Sequence, residues 1–370
     1  MKEDWAHTEK CLLRVAGSMG KLLRQIRPHI STRIIDGAGW ERMLARADEV
    51  PPTYAAFPFG FEVPLQDPEP RADFGLSLVG DSRTAAIYQD NNRAGAADPA
   101  VARLAWLLDE TDREDSPLRR VVGRKMLLEY DIDTGPGDDR PEPGIFLYPI
   151  DDALAGASGR ERELGVVYDA LVHAGGWRPD AAEREQLNRL YGALAPNTLI
   201  RALGTFPSRA RTMRIAMTPF RRAAELAAFL DCVGWPGNSA AVADAVSPFE
   251  ARGAFAYMGA HFDIGPGGVG PKLGLSFFAS EKEWLKDVEN WAGIIDCMGG
   301  LGCALPEKLA ELTRWSTGSN TLFAPTGPIM LVRGIHHIKL VIAGDRIEQA
   351  KAYTFFLMMA SRLKRGLESG

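Results

Sequence analysis

Alternation constrains this chain more than any other feature. In His336-His337-Ile338-Lys339-Leu340-Val341-Ile342, the apolar Ile338, Leu340 and Ile342 share one face of an extended strand, and His337, Lys339 and Val341 share the other. Two upstream segments repeat the arrangement. Leu273, Leu275 and Phe277 oppose Lys272, Gly274 and Ser276, and Met213, Ile215 and Met217 oppose Thr212, Arg214 and Ala216. Each of the three strands places one cation, followed two residues on by a small or compact residue, on a single face. Such strands suit a sheet that packs under helices on one side and lines a polar cavity on the other.

The pattern recurs along the chain, interrupted by helical stretches. Residues 3–48 read as helix with a break at Pro28. Phe59, Phe61, Val63 and Leu65 then alternate with Gly60, Glu62 and Pro64, and Phe74, Leu76 and Leu78 with Asp73, Gly75 and Ser77. A helix over 98–111 starts at Asp98-Pro99. Strands Lys125–Ile132 and Gly144–Ile150 flank a loop rich in Gly, Pro and Asp, and helices over 157–174 and 180–194 follow. Strands Arg201–Phe206 and Thr212–Met217 precede a helix over Phe220–Val233, ended by Gly234. Ala254–Ile264 and Lys272–Phe278 pair across the turn-rich GPGGVG at 265–270, before helices over 281–299 and 306–313. Pro328–Gly334 and His336–Ile342 make the last pair, and Glu348–Arg365 reads as a final helix.

Five strand pairs separated by helices form an internal repeat within one domain over 1–370: N-terminal helices in 1–50, the strand pairs in 51–345 and a C-terminal helix in 346–370. Ten antiparallel strands joined by short hairpins leave two open edges unless the sheet closes. The expected fold is therefore α+β, a ten-stranded antiparallel barrel of five α-β-β-α repeats, with helices outside and a polar lumen. An open sheet with a solvated polar face is the plainer alternative.

The net charge of −5 gives no general pull toward nucleic acid or an anionic membrane, so clustered cations are meant for a small target. No apolar run approaches the ~18 residues of a membrane span. The N-terminal MKEDWAHTEK has no apolar core for a signal peptide. Cys11, Cys232, Cys297 and Cys303 lack close metal-ligand spacing and read as reduced thiols of a cytoplasmic protein.

Arg214, Lys272 and Lys339, converging from separate strands, suit an anion such as a diphosphate or carboxylate. The alternative is a structural network in which they pair with Glu129, Asp131 and Glu62. Glu62, flanked by phenylalanines, is a candidate general base, or a carboxylate paired with a lumen cation. Glu129 and Asp131 share a face with Lys125; they would bind a metal or a substrate amine, or pair with that lysine. Tyr257, His261 and Asp263 share one strand face, and His261 and His337 are candidates for acid–base work near neutral pH, against a structural hydrogen-bonding role. His336 and His337 are not expected to share a metal, because adjacent strand residues point oppositely. No zinc cluster, nucleophile elbow or dinucleotide fingerprint occurs, and no cofactor is expected.

The five-fold repeat resembles the aromatic prenyltransferases of the ABBA, or PT-barrel, superfamily. PFGFEVPL is similar to the family's first strand, and the resemblance implies that Glu62 contacts the aromatic acceptor. It also implies that Arg214, Lys272 and Lys339 bind the donor diphosphate. Indole-type members follow such cations, two residues on, with tyrosines that shield the allyl cation; here those positions are Ala216, Gly274 and Val341. The strings LEYD with PGIF, and HIKL with AKAY, resemble proteins of bacterial peptide natural-product clusters. The implied activities are allyl transfer to an aromatic or peptide acceptor, peptide cyclisation by thiol addition to a dehydroamino acid, or binding without catalysis beside a partner biosynthetic enzyme.

Overall fold

Apolar residues at every second position put one face of each strand against helices, and the sheet they build closes on itself. The computed structural model describes residues 13–49, 56–95, 98–132, 142–209, 211–280, 291–315, 319–324 and 327–359. Its strands are β1 (Ala56–Pro64), β2 (Asp73–Val79), β3 (Lys125–Tyr130), β4 (Gly144–Leu147), β5 (Leu199–Thr205), β6 (Met213–Phe220), β7 (Tyr257–Gly265), β8 (Gly268–Phe278), β9 (Ser319–Ala324), β10 (Gly327–Ala343) and β11 (Arg346–Met359). β1 to β8 pair in chain order, β8 pairs with β10, β10 with β11, and β11 returns to β1, all antiparallel. Ten strands thus form the expected closed barrel, and β9 adds to the first half of β10 outside the ring.

The outward face is mainly apolar. Phe61, Phe74, Leu128, Ile215, Phe262, Leu275, Ile338 and Ala352 are all buried beneath helices. Those helices are α1 (Met19–Ile26) and α2 (Gly37–Glu49) before β1, then α3 (Arg83–Arg93), α4 (Pro99–Asp112) and α5 (Pro117–Val122) before β3. α6 (Glu161–Ala174) and α7 (Ala181–Gly192) precede β5, α8 (Ala223–Cys232) and α9 (Ser239–Ala251) precede β7, and α10 (Trp291–Leu301) and α11 (Pro306–Trp315) precede β9. Asp98 caps α4 by accepting from the Val101 amide at 2.9 Å, which fixes the start read from Asp98-Pro99. The Pro28 break is a short 3₁₀ turn over Arg27–His29. Among the described residues no helix is long and apolar enough to cross a membrane.

Two expectations need correction. The C-terminal segment is not helical over Glu348–Met359: it is β11, the strand that closes the barrel. Glu348, Gln349, Ala350 and Lys351 are good helix formers, but ladders with β10 and β1 on both sides override that weak preference. Residues 360–365 of that expectation, like 3–12 and 281–290 of two others, lie outside the described residues. Pro328–Gly334 and His336–Ile342 are one continuous strand, interrupted only by a bulge between Ile335 and His337. The sequence pattern leaves 83–93, 117–122, 239–251 and 319–324 unassigned; they are α3, α5, α9 and β9.

Closure needs a glycine. At Gly60 on β1, a Cβ would stand 1.8 Å from the carbonyl oxygen of Thr354 on β11, so only glycine lets the two strands meet here. Outside the wall, Lys308 of α11 is 1% exposed, and its ammonium donates to the carbonyls of Pro64 at 2.8 Å and Glu69 at 3.0 Å. It ties a helix to the chain leaving β1. Lys308→Met should cost ~2–4 kcal/mol, because two carbonyls lose their donor; urea unfolding checks this, and an unchanged midpoint would show that water replaces the ammonium.

Candidate active site

The opposite strand faces bring the polar residues inside. Around the wall, Glu62 lies opposite Asp73 on one side and Tyr353 on the other. Glu129 lies opposite Gly75 and Gly144. Arg214 lies between Gly204 and Asp263, and Ala216, His261, Gly274 and Val341 form one row. Ser276, Lys339 and Lys351 form another.

Ion pairs organise this interior. Glu62, 7% exposed, contacts the Lys351 ammonium and the Tyr353 hydroxyl. Burial by itself would raise the Glu62 pKa, but Lys351 and Tyr353 overcome it and hold the carboxylate well below its usual range. Glu62 is therefore firmly ionised. The Arg214 guanidinium meets both carboxylate oxygens of Asp263, at 2.8 and 2.9 Å, and lies 5.0 Å from the Phe206 ring centroid. Arg209, in the segment between β5 and β6, makes a two-point contact with Asp131, one arm at 2.8 Å.

Three charged groups are left over. Lys339 is 5% exposed and forms no ion pair among the described residues. Its stem crosses Gly274, where a Cβ would come within 2.3 Å of the lysine Cε, and its ammonium is 5.8 Å from the Tyr353 ring centroid. Burial first, and then Arg214, push its pKa down to about 7. Glu129 likewise has no ion pair among the described residues; burial and the nearby Glu62 push its pKa up to about 8. Among the described residues Asp73 accepts the Ile132 amide, at 2.9 Å, and no cation pairs with it; burial together with Glu62 raises it to about 7.

Beside Lys339 stand the rings. Tyr353 stacks on His337 with centroids 4.1 Å apart, and His337 faces His261 at 6.3 Å. Phe278 stacks on Tyr257 at 4.6 Å and lies 5.4 Å from His337. His261 Nε2 and Ser276 Oγ share a hydrogen bond of 2.9 Å. The bulge at Ile335/His337 turns two adjacent histidines toward each other, with Nδ1 to Nδ1 at 2.7 Å, contrary to the expectation that His336 and His337 point apart. Burial holds His261 and His337 well below the ordinary histidine range and His336 at about 4, so all three are neutral rings at neutral pH. Among the described residues, no three His, Cys, Asp or Glu side chains form a metal-holding group.

The structure thus gathers Glu62, Glu129, Arg214, Lys339, Tyr257, His261 and His337. Lys125 shares the strand face of Glu129 four positions away, nearer His336, whose pKa it helps to lower. Lys272 stands apart: its side chain is 53% exposed and meets Glu348 at 2.6 Å. The expected partner assignments for the structural network also change, since Asp131 pairs with Arg209, Glu62 with Lys351 and Arg214 with Asp263. Lys351 and Tyr353 were missed because their strand was read as helix. Their signal is Lys351, Tyr353 and Phe355 on one face against Ala350, Ala352 and Phe356 on the other. This supplies one tyrosine two residues after a lumen cation, the feature that Ala216, Gly274 and Val341 lack.

No protein-family model and no curated protein matches the chain. Solved structures do match it. The apo form of the prenyltransferase PriB is 12% identical, with 91% of this chain and 94% of that one covered at a TM-score of 0.50. AnaPT from Neosartorya fischeri is 12% identical, with 95% and 94% covered at a TM-score of 0.54. At such identity the likeness is one of fold.

Proposed function

We propose that this chain, whose barrel is the ABBA fold of aromatic prenyltransferases, is a transferase that moves an allyl group from a diphosphate donor to an electron-rich acceptor held in the lumen. The observation that carries this reading is a buried lysine, Lys339, that has no carboxylate partner among the described residues, beside Arg214 and facing the stacked rings of Tyr353 and His337. Lys339 and Arg214 bind the diphosphate. As the allylic C–O bond breaks, its electron pair leaves with the diphosphate, and the two cations stabilise the growing negative charge. The allyl cation faces the π surfaces of Tyr353, His337 and Phe278. The acceptor ring forms the new C–C bond to the allyl carbon, then gives up its ring proton to the released diphosphate, which restores aromaticity. Glu62, ionised and fixed by Lys351, accepts a hydrogen bond from the acceptor and stabilises the positive charge on it. Peptide cyclisation gained its support from the missing tyrosines, and Tyr353 weakens that case.

Incubation with dimethylallyl diphosphate and a panel of free indole, tryptophan and tyrosine- or tryptophan-containing peptides tests the proposal. Mass spectrometry should find one acceptor heavier by a single allyl unit, with diphosphate released in equal amount. Diphosphate release without any alkylated acceptor would contradict transfer and leave a hydrolase.

A further inference from the structure

The lumen's acidic and basic side chains are equal in number, so a bound donor adds negative charge that nothing in the empty barrel offsets. The charged groups facing it are Glu62 on β1, Asp73 on β2, and Lys125, Glu129 and the adjoining Asp131 on or after β3. Arg209 and Arg214 enter from and beside β6, Asp263 from β7, Lys339 from β10 and Lys351 from β11. Among the described residues, His261 and Tyr257 on β7, His336 and His337 on β10, Tyr353 on β11 and Tyr148 after β4 also face it. Three ion pairs cancel: Glu62 with Lys351, Asp131 with Arg209, and Asp263 with Arg214. Among the described residues this leaves Lys125, nearer His336, and Lys339 as cations outside the three pairs, and Asp73 and Glu129 as carboxyl groups outside them. A diphosphate brings several negative charges into the barrel interior, where a dielectric below that of water strengthens repulsion.

We infer that the diphosphate enters together with protons, which are taken up by Lys339, Asp73 and Glu129 as the anion binds. This rests on the reading of the lumen as a diphosphate site. Protonation keeps Lys339 cationic and neutralises the two carboxylates outside the ion pairs, so the anion meets a positive rather than a negative interior. All three groups titrate where such coupling is readable, with pKa values near 7, 7 and 8 in the empty lumen. At pH 6 each is already protonated and uptake is near zero. Uptake rises to roughly one proton at pH 7 and about two at pH 8. Affinity therefore falls as pH rises, by about tenfold or more from pH 7 to pH 8.

Calorimetry with inorganic diphosphate, in two buffers of different ionisation enthalpy, reads the proton number directly. Comparison with Asp73→Asn/Glu129→Gln cancels protons carried by the diphosphate itself. At pH 8 the double variant should take up about 1.4 protons fewer than the wild type and bind more tightly. Glu129→Gln alone, a smaller change for the fold, should lose about half a proton. Binding with the same proton number in wild type and both variants would overturn the coupling while leaving the diphosphate site intact. No binding by the wild-type protein would overturn the diphosphate reading itself, and the coupling with it.

Discussion

Lys351→Met should destabilise the fold by ~3 kcal/mol at pH 7, because it strands Glu62 as a buried carboxylate beside Asp73. The lysine is only 25% exposed, so water cannot replace it fully. The pH dependence has a definite sign. In the wild type the Glu62 pKa is depressed, so its stabilising contribution is present above the unfolded value near 4.3 and is lost only as pH falls below it. Without Lys351 the remaining causes, burial above all, raise that pKa. The variant then carries a penalty above pH ~4.3 that disappears once Glu62 is protonated. Urea unfolding at pH 7 and pH 4 should show the gap shrinking from ~3 to under ~1 kcal/mol. A gap independent of pH would mean that the lysine stabilises through packing alone.

Glu62→Gln has its largest effect on turnover. An amide cannot replace an anion that stabilises positive charge on the acceptor, so turnover should fall by on the order of 10²-fold or more. The exchange is isosteric but not neutral for the fold, since Lys351 keeps its charge and loses its partner; a cost of ~2 kcal/mol is expected. The double variant Glu62→Gln/Lys351→Met should regain much of the stability lost in Lys351→Met while staying inactive. Near-normal turnover in Glu62→Gln would remove Glu62 from the chemistry.

The barrel was legible because burial acts on every second residue. Phe74, Leu76 and Leu78, or Leu273, Leu275 and Phe277, admit only one outward face, and that face fixes which side chains enter the lumen. Arg214, Lys339 and Glu62 were found this way. Lys272 shares its strand face with Ser276 but lies four residues along it, ~13 Å nearer the barrel mouth, so sharing a face did not place it at the same depth. Lys351 and Tyr353 were hidden by helix-forming neighbours whose preference the closing ladders override. The ion pairs were not legible, because Glu62 and Lys351 are 289 residues apart and meet only through closure of β1 on β11. Nor was the His336–His337 contact, which depends on a single extra residue in β10.

The central claim is that the lumen holds an allyl diphosphate against Lys339. Calorimetric titration with dimethylallyl thiolodiphosphate, which resists ionisation, tests it most directly, using wild-type protein and Lys339→Ala at pH 7. The wild type should bind at micromolar concentration, and Lys339→Ala should lose about 10- to 100-fold, or ~1.5–3 kcal/mol, as expected for a hydrogen bond to a charged group. No heat at millimolar analogue, or equal affinity in the folded variant, would contradict the assignment.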